Sequence, residues 1–289
     1  MSNNELTRRD FVSMTMAAGL TAAAGANADG QQKLSETDVT IKTEDGTCDA
    51  AFIHPATGAH AAVIIWPDAF GLRPAMREMA RRLASDGYSV LVPNPFYRVA
   101  KAPVFESAAN FNFSDPAQRS KLAPLMGSIG AAGAAEKDAT AFVAWLDTQS
   151  AVDRTKKIGT QGYCMGGALV IRTAAAVPNR IGAGASFHGG GLVTANPNSP
   201  HLLAPKIKAR MYIAVAANDD AQQPDAKTKL KEAFDAAKVP CEVEVYSQAQ
   251  HGWCVPDMPM QGNGQPLYSK PDAERAWSKL LALYKSALG

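Results

Sequence analysis

The chain has 289 residues, of which 46% are hydrophobic, and a formal net charge of +2 at pH 7. This length allows one large domain or two small ones, and it is ample to bury a core. A nearly balanced charge without a basic stripe argues against a nucleic-acid partner. The sequence also lacks an apolar run long enough for a persistent membrane span, so we expect a globular protein.

The first 28 residues have the pattern of an export signal. The pair Arg8-Arg9 stands in a twin-arginine motif, a weakly apolar segment follows, and Ala26-Asn27-Ala28 is an A-x-A cleavage site. This pattern predicts recognition by the twin-arginine export machinery, removal of residues 1–28, a periplasmic location and no stable membrane anchor after cleavage. A frayed amphipathic tail is the alternative interpretation. The folded domain is expected over residues 35–289.

Strands and helices alternate along this domain after a predicted opening hairpin. The hairpin pairs residues 39–42 with residues 50–53 around the turn signal Glu44-Asp45-Gly46. Further strands are expected at 61–66, 89–92, 157–161, 184–187, 211–216 and 241–246, and helices at 75–85, 134–149, 168–176, 225–237 and 271–287. The alternation predicts a doubly wound, mostly parallel α/β sheet, in which ligands bind beyond the carboxyl ends of the strands.

One long segment interrupts the alternation. Residues 93–133 contain several prolines, among them Pro103, Pro116 and Pro124, and we expect an irregular conformation there. A loop of this length in a compact domain is usually functional. Whether residues 99–130 form a lid stays open at this point.

The most informative motif is Gly162-Tyr163-Cys164-Met165-Gly166-Gly167. Its G-x-C-x-G spacing is that of a nucleophile elbow, a sharp turn between a strand and a helix, with cysteine in the usual serine position. Glycines allow the strand and the helix to pack closely around such a turn. The positive end of the helix would then favour a thiolate and a nearby oxyanion. A small buried cysteine in a glycine-rich turn is the alternative.

Two further residue types complete a possible catalytic set. A thiol nucleophile needs a base to accept its proton, and the base needs an acid to hold its tautomer. Cys164, Asp219 and His251 follow one another in the nucleophile, acid, histidine order of the α/β-hydrolase fold, and each stands after a predicted strand. Asp220 is an alternative acid; we favour Asp219 because it comes sooner after the apolar strand.

Three other cysteines are present, Cys48, Cys241 and Cys254. No C-x-x-C pair occurs, and the spacings do not suggest zinc. Disulfides can form in an exported protein, but the spacing does not show whether these three pair. A redox role for Cys164 is disfavoured because no resolving cysteine lies near it in the sequence.

Three segments together resemble the dienelactone hydrolase family: the Cys164 elbow, Pro67-Asp68-Ala69-Phe70-Gly71-Leu72 and Gln250-His251-Gly252-Trp253. The resemblance covers nearly the whole domain. It implies an α/β-hydrolase fold and hydrolysis of a small ester or lactone through an acyl-thioester, without metal or cofactor. It also implies Cys164 as nucleophile, His251 as base and Asp219 as acid. The backbone amides of Met165 and Ala69 would form the oxyanion hole.

The same resemblance implies substrate contacts. Asp68 stands where the family has a glutamate beside the thiol, although a loop residue that caps the next helix is an equal alternative. Arg98 falls near a family arginine that binds the substrate carboxylate. No arginine follows His251, which argues against the ring-cleavage dienelactone as substrate, and Trp253 indicates a more apolar pocket. His188 is expected to contact substrate or to be structural.

A second hypothesis belongs to another class of protein. A non-catalytic periplasmic protein could use the same pocket to bind an acidic small molecule through Arg98. Tight binding without turnover distinguishes it from the hydrolase.

Overall fold

The computed structural model of the protein describes residues 33–289. The predicted signal peptide, residues 1–28, lies outside the described residues. Within these residues, eight strands form one sheet: β1 Leu34–Thr43, β2 Gly46–Pro55, β3 Ala62–Trp66, β4 Ser89–Pro93, β5 Ile158–Tyr163, β6 Ile181–Phe187, β7 Arg210–Ala216 and β8 Cys241–Tyr246. The same part of the chain contains seven α-helices: α1 Pro74–Ser85, α2 Pro116–Gly130, α3 Ala134–Leu146, α4 Met165–Ala176, α5 Ala217–Gln222, α6 Ala226–Ala236 and α7 Lys270–Ala287.

The strand order across the sheet is β1-β2-β4-β3-β5-β6-β7-β8. The pairs β1–β2 and β2–β4 are antiparallel, and every pair from β4 to β8 is parallel. The sheet is therefore mostly parallel, and its fold is that of an α/β hydrolase. The predicted fold class and the opening hairpin are confirmed.

Both faces of the central strands are buried. Along β3, Ile64 and Trp66 enter one apolar cluster, while Val63 and Ile65 enter the other. The first cluster lies under α3, α4 and α6, and the second lies under α1 and α7. Because successive side chains of a strand point to opposite faces, a strand covered on both sides reads as an unbroken apolar run.

The segment that was expected to be irregular contains a helix. Helix α2 begins at Pro116, with the Asp115 carboxylate accepting the Ala117 amide as an N-terminal cap. The pair Asp115-Pro116 is a helix-start signal, which the other prolines of the segment obscured. Pro124 lies inside α2. The expectation of an irregular conformation over the whole of residues 93–133 was therefore wrong.

Two shorter elements were not predicted. A 3₁₀ helix occupies Pro200–Lys206, and the short helix α5 directly follows β7. Among residues 33–289, no helix is both long enough and apolar enough to cross a membrane.

Candidate active site

Cys164 lies at the turn between β5 and α4, where the nucleophile-elbow motif placed it. Its backbone has φ 52° and ψ −116°, in the positive-φ region that a side-chain-bearing residue seldom adopts. Helix α4 begins at the next residue, Met165. The side chain of Cys164 therefore stands on a strained turn at the positive end of a helix.

Close packing explains the glycines of the motif. A Cβ atom on Gly162 would lie 2.2 Å from the carbonyl oxygen of Gly166. A Cβ atom on Gly166 would lie 2.3 Å from the carbonyl oxygen of Trp66, at the end of β3. These distances are far below van der Waals contact, so only glycine permits α4 to start this close to the sheet.

His251 and Asp219 are paired across the carboxyl ends of β7 and β8. The Nδ1 atom of His251 lies 2.8 Å from one Asp219 carboxylate oxygen and 3.0 Å from the other. The backbone amide of His251 donates to Oδ1 of Asn218 at 2.8 Å, which fixes the loop that carries the imidazole. Asp220 turns away and accepts two hydrogen bonds from Lys227. Of the two adjacent carboxylates, Asp219 is the one that contacts His251.

The imidazole of His251 also contacts the Cys164 thiol. Burial lowers the pKa of His251, but hydrogen bonds with Asp219 and with the Cys164 sulfur, together with the charges of those two groups, outweigh burial and raise it to about 10. The three predicted residues therefore form a connected chain of side chains, Cys164 to His251 to Asp219.

The two backbone amides predicted for the oxyanion hole, those of Met165 and Ala69, have no acceptor within the described residues. Met165 is the first residue of α4, so its amide has no partner inside the helix. The neighbouring Phe70 amide donates to Asp68 Oδ1, whereas the Ala69 amide donates no hydrogen bond to any described residue. Both amides are available as donors to a substrate oxygen.

A cavity of about 440 Å³ opens beside Cys164. Its floor is α4, with Met165 and Ala168. One wall is formed where α2 ends and α3 begins, and the other by residues 190–200. None of the four predicted substrate contacts, Asp68, Arg98, His188 and Trp253, is among the residues that line it.

Asp68 is part of a buried ion-pair network. Asp68 and Arg73 are 0% and 1% exposed, and the guanidinium donates to both Asp68 oxygens at 2.8 and 3.0 Å. Arg73 also donates to both carboxylate oxygens of Asp257, at 2.8 and 2.7 Å. Asp68 therefore binds Arg73 and the Phe70 amide, not substrate, which corrects its assignment as a substrate contact.

We expect Arg73→Met to lower the free energy of unfolding by about 3–5 kcal/mol, because it leaves two carboxylates in the network without their counter-ion. Chemical denaturation measures this. The matched control is Arg77→Met, one helical turn later, where Arg77 forms more exposed pairs with Glu36 and Asp38. Arg77→Met should lower the free energy of unfolding by no more than about 1 kcal/mol. Equal effects of the two changes would contradict the assignment.

Arg98 is also engaged by protein carboxylates. Its guanidinium donates to both oxygens of the buried Asp138, at 2.8 and 2.7 Å, and to Asp45 of the hairpin turn. The prediction that Arg98 binds a substrate carboxylate is therefore not supported by its position. The hypothesis of an acidic-ligand binding protein, which depended on Arg98, loses its basis with it.

His188 and Trp253 are buried behind the site. The backbone amide of Cys164 donates both to Nδ1 of His188 and to the carbonyl of Phe187, each at 3.1 Å. The His188 ring packs edge-on against His251 with centroids 4.8 Å apart. Burial and the nearby charge of His251 hold the pKa of His188 well below its usual range. The ring of Trp253 stacks on Tyr246 and is fully buried. Both residues are buried in the core behind the site, so His188 fits the structural alternative and neither position supports the expected substrate contact.

The backbone of His188 has φ 40°, where asparagine is the best-tolerated alternative to glycine. We expect His188→Asn to keep kcat within about threefold, because the Asn oxygen replaces Nδ1 as acceptor for the Cys164 amide. His188→Gln places its oxygen too far along the side chain and should lower kcat about tenfold. Steady-state kinetics of the two variants measures this, and equal losses would show that the acceptor is unimportant.

The other three cysteines are free thiols in this structure. Burial raises the pKa of Cys48 and of Cys254, and it raises the pKa of Cys241 to about 12. Of the four cysteines, only Cys164 lines the 440 Å³ cavity.

Some residues of the site escaped the sequence analysis. Arg172 and Glu136 line the cavity and bind each other, with 2.7 Å between Nη1 and Oε1. Arg172 stands eight residues after Cys164, the N-cap of α4. Helical periodicity could therefore have placed Arg172 on the same face of α4 as Cys164. Arg73 and Asp257 are 184 residues apart in sequence, and no local signal connects them.

The fold is that of an α/β hydrolase, and Cys164 lies at the turn between β5 and α4. The model of the dienelactone hydrolase family matches residues 48–288, and the chain belongs to that family.

Individual relatives agree with this assignment. The chain is 24% identical to a carboxymethylenebutenolidase of Rhodococcus opacus, over 84% of this chain and 88% of that protein. A dienelactone hydrolase-like promiscuous phosphotriesterase from metagenomic libraries has a similar structure, with TM-score 0.71, 24% identity, and coverage of 89% of this chain and 99% of the other. The dienelactone hydrolase of Anabaena variabilis gives TM-score 0.59, 16% identity, and coverage of 89% and 99%. Both structural likenesses support the fold.

Proposed function

We propose that the protein hydrolyses a carboxylic ester or lactone by acyl transfer to Cys164. The observation that carries the proposal is the contact chain from the strained Cys164 turn through His251 to Asp219. Membership of a family of ester and lactone hydrolases supports it.

The reaction proceeds in two steps. The Cys164 thiol first passes its proton to His251, whose raised pKa keeps it there as imidazolium. The sulfur then attacks the carbonyl carbon, and the carbonyl π electrons move to oxygen, where the Met165 and Ala69 amides hold the charge. Collapse breaks the carbon–oxygen bond, and His251 returns the proton to the departing alcohol. Water then attacks the thioester, with His251 as base, and releases the acid and the free thiol. Asp219 keeps the His251 tautomer and orientation throughout.

Mass spectrometry of the protein mixed rapidly with a nitrophenyl ester tests this function. We expect nitrophenol release and a transient acyl adduct on the peptide that contains Cys164. Steady hydrolysis with no adduct on that peptide, even after acid quenching at early times, would argue against acyl transfer to this thiol.

The His251 pairing also predicts a pH dependence of stability. Folding raises the pKa of His251 from its ordinary 6.5 to about 10, so the folded state holds this proton more tightly than the unfolded state. The resulting contribution to the free energy of unfolding is fully present below about pH 6.5 and is lost as the pH rises through about 10.

His251→Gln measures this contribution by chemical denaturation. The stability difference between the native protein and the variant should therefore shrink between about pH 6.5 and about pH 10. In a Cys164→Ala background, where one cause of the raised pKa is absent, the shrinkage should end at lower pH. A difference that is independent of pH would contradict the pairing.

We also propose export by the twin-arginine route to the periplasm. The support is the Arg8-Arg9 motif and the A-x-A site before residue 29. Replacing both arginines with lysine and fractionating the cells tests this proposal. If the twin-arginine route exports the protein, the lysine variant should accumulate uncleaved in the cytoplasm, whereas the native protein should be cleaved and periplasmic.

A further inference from the structure

The cavity beside Cys164 runs along α4 and ends at Arg172. Arg172 stands eight residues after Cys164, which places it about 12 Å further along the helix axis. Its Nη1 atom donates to Glu136 on α3 at 2.7 Å, and its Nη2 atom donates to the carbonyl of Asn198 at 2.9 Å. One side chain from the floor thus binds both walls of the cavity.

A second cavity, of about 700 Å³, continues along the same helix beyond this point. Its lining is mixed: Ala175 and Ala176 of α4 and Leu203 are apolar, whereas Lys42, Glu44, Lys137 and Lys206 are charged. It shares Glu136 with the first cavity. Along α4, the residues up to Arg172 line the first cavity, and Ala175 and Ala176 line the second.

We propose that Arg172, held by Glu136 and Asn198, is the end wall of the substrate cleft and restricts the protein to esters or lactones with short chains. An apolar chain that reached the wall would have to cover a guanidinium and a carboxylate that are 21% and 32% exposed, and it would offer them no hydrogen bonds in exchange. Without the wall, the chain would continue along α4 over Ala175 and Ala176 in the second cavity. The choice of substrate class rests on the proposed function, but the wall itself does not.

Alkylation of Cys164 by N-alkyl iodoacetamides of increasing length tests the wall without requiring turnover. The thiolate displaces iodide, and peptide mass spectrometry gives the rate at Cys164 for the ethyl, butyl, octyl and dodecyl reagents. In the full-length native protein the rate should fall from butyl to dodecyl. In Arg172→Ala the dodecyl-to-butyl rate ratio should rise about tenfold, as burial of roughly two further methylene groups would give.

The chain offers a matched control. Arg180 binds Asp147, the residue that follows α3, at 2.7 Å, and the two side chains are 23% and 30% exposed. Neither residue lines the two cavities. Arg180→Ala therefore removes a similar ion pair outside the cleft, and it should leave the dodecyl-to-butyl ratio within about twofold of the native value. Should Arg172→Ala fail to fold, Glu136→Ala opens the same wall from α3 and should raise the ratio in the same direction.

An unchanged ratio in Arg172→Ala, an equal rise in Arg180→Ala, or no reaction of Cys164 with any of the four reagents would overturn the wall. Failure of the proposed function would give a different result. The dependence of the alkylation rate on chain length would be as expected, but the native protein would release no nitrophenol from short esters.

Discussion

Cys164→Ala should lower kcat for a short nitrophenyl ester by at least about 10⁴-fold, the loss typical when a nucleophile of a triad is removed. The fold should survive, because alanine keeps the Cβ atom and leaves the backbone strain at φ 52° unchanged. Active-site titration together with circular dichroism separates loss of chemistry from loss of structure.

A second thiol provides the control for this change. Cys241 lies on the edge strand β8, is half-buried and is remote from the Cys164 cavity. Cys241→Ala should leave kcat within about twofold of the native value. If Cys164→Ala still hydrolysed the ester at the native rate, another group would carry out the reaction, and the proposal of acyl transfer to Cys164 would be wrong.

Asp219→Asn should lower kcat by about 10³- to 10⁴-fold, because the amide can present its NH₂ group to Nδ1 and stabilise the wrong tautomer of His251. The substitution removes a negative charge but hardly changes the volume. It should also lower the pKa of His251, since the hydrogen bond with Asp219 is one cause of the raised value. Steady-state kinetics and an NMR titration of the imidazole measure the two effects.

Asp220→Asn is the control for that experiment, since the two carboxylates are adjacent and differ only in their partners. Asp220 binds Lys227, so its loss should change kcat by no more than about threefold. If the Asp220 variant lost the greater activity, the acid of the site would have been misassigned.

The sequence patterns were sufficient for the sheet and for the contact chain. Strands buried on both faces appear as apolar runs, and the ends of parallel strands meet at one edge, so Cys164, Asp219 and His251 could be brought together from spacing alone. Asp219 and Asp220 are adjacent, so the sequence favoured Asp219 only by its position one residue closer to the strand. In the structure, the His251 imidazole lies within hydrogen-bond distance of Asp219.

The positions around the cavity could not be predicted in the same way. A strand end gives the place of a Cα atom, but the direction of the side chain depends on partners that are remote in sequence. Arg98 is bound by Asp138, and Asp68 is bound by Arg73. His188 and Trp253 pack against each other in the core, and Trp253 also stacks on Tyr246 of β8, so their directions too depend on partners remote in sequence. The actual wall residue, Arg172, carried no motif.

The ion-pair network around Arg73 also connects the loops that carry the proposed catalytic groups. Asp68 adjoins Ala69, which carries one of the two free amides, and Asp257 lies six residues beyond His251. Asp257 also accepts the amide of Ala108 from the segment before α2. The Arg73 guanidinium and the Asp257 carboxylate together therefore connect three loops, and they link the segment that carries the Ala69 amide to the segment that carries His251. Loss of this one ion pair would disturb the oxyanion donor and the base together.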